Sequence, residues 1–587
     1  MSLTNRENSF GVLFVAGLSS PAPMPSNYAT EHKPTRCHQL QSRRSQNRPS
    51  HYTTKRGGHG LVGLPVALPM ELSQRLDESS KRPRAHPIRS QLTGLRLGSF
   101  ANPPSTTQTH SSVCASNPTN QPTNPPTNRS PHQQATMVQH QVKEYFPTVP
   151  KVTFEGQNTK SALAFREYNA SEVILGKTME EWCRFAVCYW HTFGNTGGDP
   201  FGSETYTNRA WNADDGANLS PRERLLEAAK CKADAAFEMF TKLGVKYYTF
   251  HDVDLVSEGA SLDESQSLLD DISDYLLEKQ NQTGVKCLWG TTNLFGHRRF
   301  MNGASTNPDM KVFAHAAARV KKAMEITLKL GGQNFVFWGG REGFQSILNT
   351  DMKMELDHMA AFFKLVVAYK KELGATFQFL VEPKPREPMK HQYDYDAATV
   401  IAFLHTYGLQ HDFKLNVEPN HTTLAGHDYE HDIYYAASYK MLGSVDCNTG
   451  DPLVGWDTDQ FLMDEKKAVL VMKKIVEIGG LAPGGLNFDA KVRRESTDLE
   501  DIFIAHIGSM DCFARGLRQA AKLLEKNELG EMVKQRYASW KSALGERIED
   551  GRATLEEVAA YAKEAGEPDH VSGKQELAEL MLFRGVQ

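Results

Sequence analysis

The chain is 587 residues long, with 66 Lys and Arg against 70 Asp and Glu, a formal net charge of -4. Residues 1–136 hold 15 basic and 5 acidic residues, so the rest holds 51 (66 - 15) basic and 65 (70 - 5) acidic residues, a net of -14. An acidic body argues against a phosphate-backbone binder, which needs a basic stripe, and suits a protein that holds divalent cations with carboxylates.

The eight cysteines are scattered and form no CxxC pair, which is typical of reduced thiols in an intracellular protein and not of a disulfide scaffold. No apolar run approaches the ~18 residues of a membrane helix. We therefore expect a protein that binds neither nucleic acid nor membrane. We expect it in the cytoplasm, with organelle targeting by the N-terminal segment left open.

Residues 1–136 have the composition of a disordered leader, rich in Ser, Pro, Thr, Asn, Gln and Arg. The Arg- and Ser-rich, acid-poor composition also fits a transit peptide, although the prolines argue against the amphipathic helix of such peptides. A third interpretation is that translation starts at Met137 and that the upstream stretch is an artefact of gene prediction. All three leave the segment outside the fold.

From Met137 onward, short apolar runs alternate with charged stretches that have helical periodicity, such as 223–243 and 309–330. Eight such strand–helix units are the number at which a parallel sheet closes, so we predict an α/β fold, a (β/α)8 TIM barrel over residues 137–496. The predicted strands are 184–190, 246–252, 286–292, 334–338, 376–382, 414–418, 443–446 and 485–489.

Residues 497–587 are helical and charged in pattern, without a further strand. We predict a C-terminal helical extension. Two interpretations stay open for it: a solvated appendage, or an arm that packs on a partner subunit as an oligomer contact.

Carboxylates and histidines follow five of the eight predicted strands. A single Asp after a strand is usually a cap or turn residue, but the strands of a barrel all end at one mouth, where these side chains would meet. The set is His251 with Asp254, Glu382, Glu418 with His421, Asp446 with Asp457 and Asp459 beyond it, and Asp489.

So many carboxylates in one mouth would repel each other unless cations neutralise them. The ligands are oxygens with a single imidazole, which suits Mg2+, Mn2+ or Co2+ better than a thiolate-type Zn2+ site. Asp457 and Asp459 are two residues apart and can face one ion, and Glu418 and His421 add a carboxylate and a nitrogen. We therefore predict two ions that share a bridging carboxylate.

Two further features of the sequence, Lys384 and the His251–Asp254 pair, concern the stabilisation of charge and the transfer of protons in the mouth. Lys384 is two residues after Glu382, so its ammonium either polarises a carbonyl in the mouth or simply pairs with Glu382. His251 has Asp254 three residues on, and a carboxylate that holds one ring nitrogen leaves the other to move protons. The strand-end aromatics Trp190, Phe295 and Trp338 are either ordinary core or an apolar wall against the CH face of a sugar.

Six segments resemble the motif series of the xylose isomerase family, specifically its longer-chain (class II) group, and their order matches as well. The resemblance runs from about residue 145 to about residue 524. The segments are FHDVDL (250–255), WGGREG (338–343), VEPKP (381–385), NVEPNHTTLAGH (416–427), GWDTDQF (455–461) and GGLNFDAKVRRESTD (484–498).

The resemblance implies an aldose–ketose isomerase that interconverts D-xylose and D-xylulose, and also D-glucose and D-fructose, by ring opening and a hydride shift between C2 and C1. It implies that His251 and Asp254 open the ring and that Lys384 hydrogen-bonds the open-chain carbonyl oxygen. It further implies two divalent ions per subunit, the first bound by Glu382, Glu418, Asp446 and Asp489, and the second by Glu418, His421, Asp457 and Asp459.

The family resemblance also implies a pocket with Trp190, Phe295 and Trp338, and places Phe201 in the site of a neighbouring subunit. A homotetramer follows, with a homodimer as the alternative. Two positions depart from the family pattern: Pro419 stands where a small or aliphatic residue is common, and Thr449 where an arginine is usual. Neither replaces a ligand, so we expect effects on tuning or stability.

Three other functions compete. Another metal-dependent TIM-barrel sugar isomerase or epimerase would use fewer ligands and one metal. A DNA-repair nuclease on a similar barrel would need several histidine ligands and a basic groove. A catalytically dead sugar-binding protein has little support, since every expected ligand is present. The sequence leaves open the preferred metal, the preference between xylose and glucose, and the choice between tetramer and dimer.

Overall fold

A computed structural model describes residues 140–212 and 219–585. The predicted leader 1–136 and the alternative start at Met137 lie outside the described residues. Eight parallel strands close into a barrel in chain order, with β8 paired to β1. They are β1 Ala186–Cys188, β2 Tyr247–His251, β3 Lys286–Thr291, β4 Asn334–Trp338, β5 Gln378–Glu382, β6 Phe413–Val417, β7 Leu442–Asp446 and β8 Leu486–Phe488. The predicted (β/α)8 barrel is confirmed, and each predicted strand bound lies within two residues of the observed one.

Each strand is followed by a helix that packs on the outside of the barrel. The helices begin at side chains that accept backbone N–H groups, such as Ser220 before α1 and Asp464 before α7, and α1 and α2 end at glycines with positive φ, Gly244 and Gly284. They are α1 Pro221–Leu243, α2 Leu262–Thr283, α3 Met310–Lys329, α4 Met352–Glu372, α5 Ala397–Thr406, α6 His431–Ser438, α7 Glu465–Glu477 and α8 Leu499–Lys526.

Helix α8 bears on the predicted start of the extension at residue 497. The charge of the residues from 497 onward predicts an extension, whereas α8 packs on α7 and is amphipathic, with apolar residues buried at helical spacing. These include Phe503, Ile507, Met510, Phe513 and Leu517. We therefore propose that α8 belongs to the barrel and that the extension begins near Asn527.

The extension consists of short helices, α9 Glu528–Arg536, α10 Ala543–Glu549, α11 Leu555–Ala565 and α12 Gln575–Gly585, with a 3-10 turn at Ala538–Lys541. It leaves large apolar side chains exposed, among them Trp540, Leu555, Tyr561 and Phe583. Of the helices within the described residues, not one combines the length and the apolar character that spanning a membrane requires.

Short elements decorate the loops. The two-residue strands pair as Val173–Ile174 with Lys177–Thr178, Gly343–Phe344 with His391–Gln392, and Asn448–Thr449 with Gln460–Phe461. The short helices are Met179–Cys183, Asp252–Leu255 and Pro419–Leu424, the 3-10 turns are Ala210–Asn212, Arg298–Phe300 and Ile347–Asn349, and a π-helical turn spans Trp190–Gly194. Several of these lie beyond the carboxyl ends of the barrel strands and so build the mouth.

The amino-terminal end of the barrel is closed by Arg184. Its guanidinium donates to the carbonyl oxygens of Gly484 (2.6 Å) and Pro483 (3.1 Å), to the hydroxyl of Tyr247 (2.9 Å) and to Gln333. The cavity described below lies at the opposite end of the barrel, where the strands finish.

Candidate metal centre and active site

Four consecutive strands each deliver one carboxylate to the mouth. Glu382 and Asp446 are the last residues of β5 and β7, and Glu418 and Asp489 directly follow β6 and β8. One oxygen from each of these four residues lies within 4.8 Å of the others. Residues far apart in sequence meet here because all strands of a parallel barrel end on the same face.

Neutral amides, not cations, hold Glu382 and Asp446 in place. The Asn416 side chain donates to Glu382 (2.9 Å) and to Asp446 (2.7 Å), and Asn487 donates to the second oxygen of Asp446 (2.8 Å). Amides fix the orientation of a carboxylate but leave its charge uncompensated. Glu382 and Asp446 are therefore arranged for a positive group, which their asparagine partners do not supply.

The electrostatics of the group lead to the same conclusion. Burial, followed by the charges of Asp446 and Asp489, raises the pKa of Glu382 well above its usual range. Burial and Asp489 raise the pKa of Asp446 in the same way, and burial with Asp457 raises that of Glu418. A divalent cation would relieve both the burial cost and the mutual repulsion, so the donor set fits a hard metal ion.

A second group shares Glu418 with the first. Oxygens of Glu418, Asp457 and Asp459 lie within 4.8 Å of one another. The Nε2 atom of His421 is 3.1 Å from Glu418 and 3.0 Å from Asp457. His421 Nδ1 lies 3.1 Å from the carbonyl oxygen of Pro383; donation to that oxygen fixes the tautomer and leaves Nε2 free to bind a metal. This set of three carboxylates and one imidazole fits a second ion.

Cations of the chain line the outer side of the mouth. The Lys384 ammonium donates to Asp457 at 2.6 Å, so it pairs with Asp457 and not with Glu382, the alternative partner considered from the sequence. Burial opposes the charged form of Lys384, but Asp457 raises its pKa. Lys491 donates to Asp459 at 2.8 Å, and although burial opposes it, Lys491 holds the pKa of Asp459 well below its usual range.

Sequence reasoning missed two residues of the mouth, His191 and Lys491. His191 Nε2 is 2.9 Å from Asp489 and 3.2 Å from Asp459, and although burial opposes its charged form, Asp459 raises the pKa of His191 to about 9. Lys491 follows Asp489 by two residues, the same spacing that drew attention to Lys384, so that signal was available. The direction of His191 is set by the π-helical turn Trp190–Gly194, which the sequence does not reveal.

His251 and Asp254 lie against each other, and their part in proton transfer stays a prediction. His251 Nδ1 is 3.0 Å from an Asp254 oxygen that also accepts the backbone N–H of His251 at 2.7 Å. The carboxylate thus holds Nδ1 and leaves Nε2 to exchange protons. The ring is enclosed by aromatics, with centroids 4.6 Å from Trp190 and 5.6 Å from Phe295.

A neutral cluster of four buried or half-buried charged residues lies directly behind this pair; we call it the arginine cluster. Arg319 pairs with both Asp252 and Glu258, and Arg299 donates to Glu258 at 3.0 and 2.8 Å. The second Asp252 oxygen accepts the backbone N–H of Asn293 (2.9 Å), which ties the end of β2 to the loop after β3. The cluster therefore positions both the His251 segment and the Phe295 loop.

A cavity of ≈ 330 Å³ joins these groups. His251 and Trp190 lie in its lining together with Trp338, Lys384 and the carboxylates of both groups except Asp446. Trp190 Nε1 donates to Asp489 at 2.8 Å, and the Trp338 ring packs on Phe295 with centroids 4.4 Å apart. One side of the cavity is thus aromatic and the other is a wall of carboxylates.

Phe201 does not line this cavity. It is 81% exposed and stacks on Trp456 with centroids 5.8 Å apart. Its assignment to a neighbouring subunit's site stays a prediction.

The two positions that depart from the family pattern fit their surroundings. Pro419 is the first residue of the helix Pro419–Leu424, a favoured place for proline, and the Thr449 hydroxyl accepts a hydrogen bond from Lys467 at 3.2 Å.

The chain is similar to known proteins along most of its length. Residues 533–586 match the family model "XylA2 C-terminal domain". A xylose isomerase of Arabidopsis thaliana is 53% identical over 443 residues, which are 76% of this chain and 91% of that protein. A xylose isomerase of Bacteroides thetaiotaomicron is 52% identical over 440 residues, 75% of this chain and 98% of that protein. A solved L-ribulose 3-epimerase is only 16% identical, covering 54% of this chain and 95% of its own, with a TM-score of 0.38.

Proposed function

The chain belongs to the xylose isomerase family, and we propose that it interconverts D-xylose and D-xylulose through ring opening and hydride transfer between C2 and C1. The proposal rests on one observation above the others. Carboxylates from two groups that share Glu418 line a single cavity together with His251, whose ring is held by Asp254. A polyhydroxylated substrate between them would meet metal-binding oxygens on one side and a proton-transfer group on the other.

His251 and Asp254 would open the cyclic sugar. With Nδ1 held by Asp254, Nε2 would take the proton of the anomeric hydroxyl and deliver a proton to the ring oxygen. The aromatic contacts of the His251 ring keep water away from it, so the proton would pass to the sugar and not to solvent.

Two groups of residues would hold two divalent ions, with Glu418 common to both. When bound, the ions would anchor two hydroxyl oxygens of the open-chain sugar and neutralise the charge that develops on its C1 and C2 oxygens. The first group is Glu382, Glu418, Asp446 and Asp489, and the second is Glu418, His421, Asp457 and Asp459.

Lys384 would donate a hydrogen bond to the carbonyl oxygen of the open-chain sugar. It lines the cavity, is buried and stays charged, since Asp457 raises its pKa against the effect of burial. A fixed ammonium beside that oxygen favours the transition state, in which negative charge grows there. Trp190, Phe295 and Trp338 would cover the apolar face of the sugar and exclude water during hydride transfer.

The direct test uses the full chain, stripped of metal with a chelator and assayed for conversion of D-xylose to D-xylulose. We expect conversion only after Mg2+, Mn2+ or Co2+ is restored, and the three ions assayed separately identify the preferred metal. D-glucose in a parallel assay tests the proposed glucose–fructose activity. Metal-loaded protein that leaves xylose and glucose unchanged would contradict the assignment.

The proposed hydride shift has its own readout. D-xylose carrying deuterium at C2, converted in ordinary water, should give D-xylulose that keeps the deuterium at C1. Proton transfer through an enediol would instead exchange the label with water. Loss of the label with conversion intact would overturn the mechanism while leaving the isomerase assignment standing.

We propose a homotetramer, with a homodimer as the alternative. The exposure of Phe201 and of the apolar side chains in α10 to α12 and the 3-10 turn before them supports contacts between subunits. Light scattering of the full chain tests this, and Phe201→Ala should lower activity if the residue enters a neighbouring site.

For the compartment we propose the cytoplasm, which a fluorescent fusion compared with and without residues 1–136 would test.

A further inference from the structure

A cluster of two histidines and two aspartates lies outside the cavity, on the side of the mouth where α5 and α6 begin. One ligand atom each from His427, His431 and Asp432 lies within 4.8 Å of the other two. His431 and Asp432 are the first residues of α6, and His427 is in the loop before it. Asp396, the residue that caps α5, contacts His427. We refer to these four residues as the rim cluster.

Asp432 carries a free oxygen in a buried place. The residue is 3% exposed, and its Oδ2 accepts the backbone N–H of Ala397 at 3.1 Å. Its Oδ1 is buried without a hydrogen-bond donor in the described part of the chain. Burying a carboxylate oxygen without a partner is costly, and a proton, a water or a cation would offset that cost. The two imidazoles beside Asp432 favour a cation, which all three side chains could bind.

His427 is already oriented as a metal ligand. Its Nε2 lies 3.1 Å from Asp396, whose other oxygen accepts the backbone N–H and hydroxyl of Thr399, both at 2.7 Å. Burial opposes the charged form of Asp396, but Thr399 and His427 keep its pKa below the usual range, so Asp396 is an acceptor for His427 Nε2–H. A carboxylate that binds one ring nitrogen in this way leaves the other, Nδ1, for a metal.

His431 supplies the second imidazole. It is exposed and stacks on His427 with ring centroids 4.2 Å apart and an angle of 17° between planes. The stacking places the two rings side by side, so that both imidazoles can reach one ion. Because His431 is at the surface, its side chain is free to turn toward an ion.

We propose that the rim cluster is a third metal site, distinct from the two groups in the mouth, and that it takes a borderline transition metal such as Zn2+. The ligand set is two imidazoles and one carboxylate, with a fourth position left for water. It contrasts with the mouth, where oxygens dominate and hard cations are favoured. An ion here would link the beginnings of α5 and α6 and so stiffen the rim of the barrel.

The test measures Zn2+ binding to the full chain in excess Mg2+, by calorimetry, beside a His431→Gln variant. Any Zn2+ that displaces Mg2+ from the mouth is common to both proteins, so the difference between them reports the rim cluster alone. We expect one more Zn2+ equivalent per chain in the natural protein than in the variant, and equal xylose isomerase activity of the two with Mg2+. Equal zinc stoichiometry would overturn the proposal.

Two further variants sharpen the result. Asp396→Asn keeps a good helix cap but weakens the orientation of His427, so it should keep the extra equivalent and lower its affinity by roughly 10–100-fold. His405→Gln removes an exposed histidine of α5 that is outside the cluster and should bind Zn2+ like the natural protein. Loss of the extra equivalent in His405→Gln as well would show that surface histidines bind zinc nonspecifically and would also overturn the proposal.

Discussion

Two neighbouring clusters of charge, the arginine cluster and the carboxylates of the mouth, are compensated in opposite ways. In the arginine cluster two arginines match Asp252 and Glu258, so the chain neutralises its own charge. In the mouth, Glu382, Glu418 and Asp446 are held by asparagine amides, and burial raises their pKa values. The difference separates Asp252 and Glu258, whose counter-charges lie within the chain, from Glu382, Glu418 and Asp446, whose hydrogen bonds from asparagine leave their charge for a cation to neutralise.

The largest effect is expected from removing a cation of the arginine cluster. Arg319→Met should cost about 3–5 kcal/mol of unfolding free energy, because it leaves the buried Asp252 carboxylate without a counter-charge. Denaturant unfolding of the metal-loaded protein measures it. Lys321→Met, on the same helix, breaks an exposed pair with Glu325 and should cost no more than about 0.5 kcal/mol. Equal losses of unfolding free energy in Arg319→Met and Lys321→Met would show that the arginine cluster contributes no more to stability than an exposed pair.

Removing a carboxylate of the mouth should act in the opposite direction on stability. Glu418→Gln should lower activity by roughly 10²–10³-fold, because an electrostatic contact to the reacting centre is lost, yet raise the stability of the metal-free protein. The gain arises because one buried like charge disappears. Glu258→Gln in the arginine cluster is the matched control and should lower stability. A metal-free Glu418→Gln protein less stable than its parent would contradict this account.

Metal removal probes the mouth without a mutation. At an ion concentration 100 times the dissociation constant, each bound site adds about 2.7 kcal/mol of unfolding free energy. The thermal midpoint should therefore rise with Mg2+, Mn2+ or Co2+ and fall with chelator. Arg319→Met should keep the same increment, since its defect lies elsewhere. A midpoint insensitive to all three ions would count against metal binding in the mouth.

The smallest effect, counted per pH unit, concerns Asp394, a buried carboxylate that within the described residues pairs with no arginine and belongs to no candidate metal group. Burial, with Glu342, raises its pKa to about 8 from an ordinary 3.8. The folded state therefore keeps the proton that the unfolded state releases, and this group's contribution to stability is lost as pH rises from about 4 to 8. The Asp394→Asn variant does not have this loss. Its free energy of unfolding relative to the parent should therefore increase with pH, by at most about 1.4 kcal/mol per pH unit. A difference independent of pH would contradict the shifted pKa.

The strands of the barrel and four of its site residues could be predicted because each has a local sequence pattern. A buried strand is a short apolar run, and the residue at its carboxyl end lies at the mouth of the barrel. This pattern identifies Glu382, Glu418, Asp446 and Asp489 from the sequence. Their grouping in space agrees with the prediction, while their roles in catalysis and metal binding stay predictions.

What escaped prediction depends on side-chain direction and on tertiary packing. Asn416 and Asn487 lie within strands and carry no pattern of their own, although they orient the carboxylates. His191 turns into the mouth through a π-helical turn. Helix α8 was assigned to the extension because the charges of its outward face obscured the apolar face that covers the barrel.

The strand order has a consequence for how the chain folds. The four carboxylates of the first group come from β5 to β8, which are neighbours both in sequence and in the barrel, whereas barrel closure must join Asn487 of β8 to Ala186 of β1. Contacts so distant in sequence form late, because loop-closure entropy opposes them. A divalent ion would thus find its ligands in a half-barrel before the ring closes, and would act as a folding template as well as a cofactor.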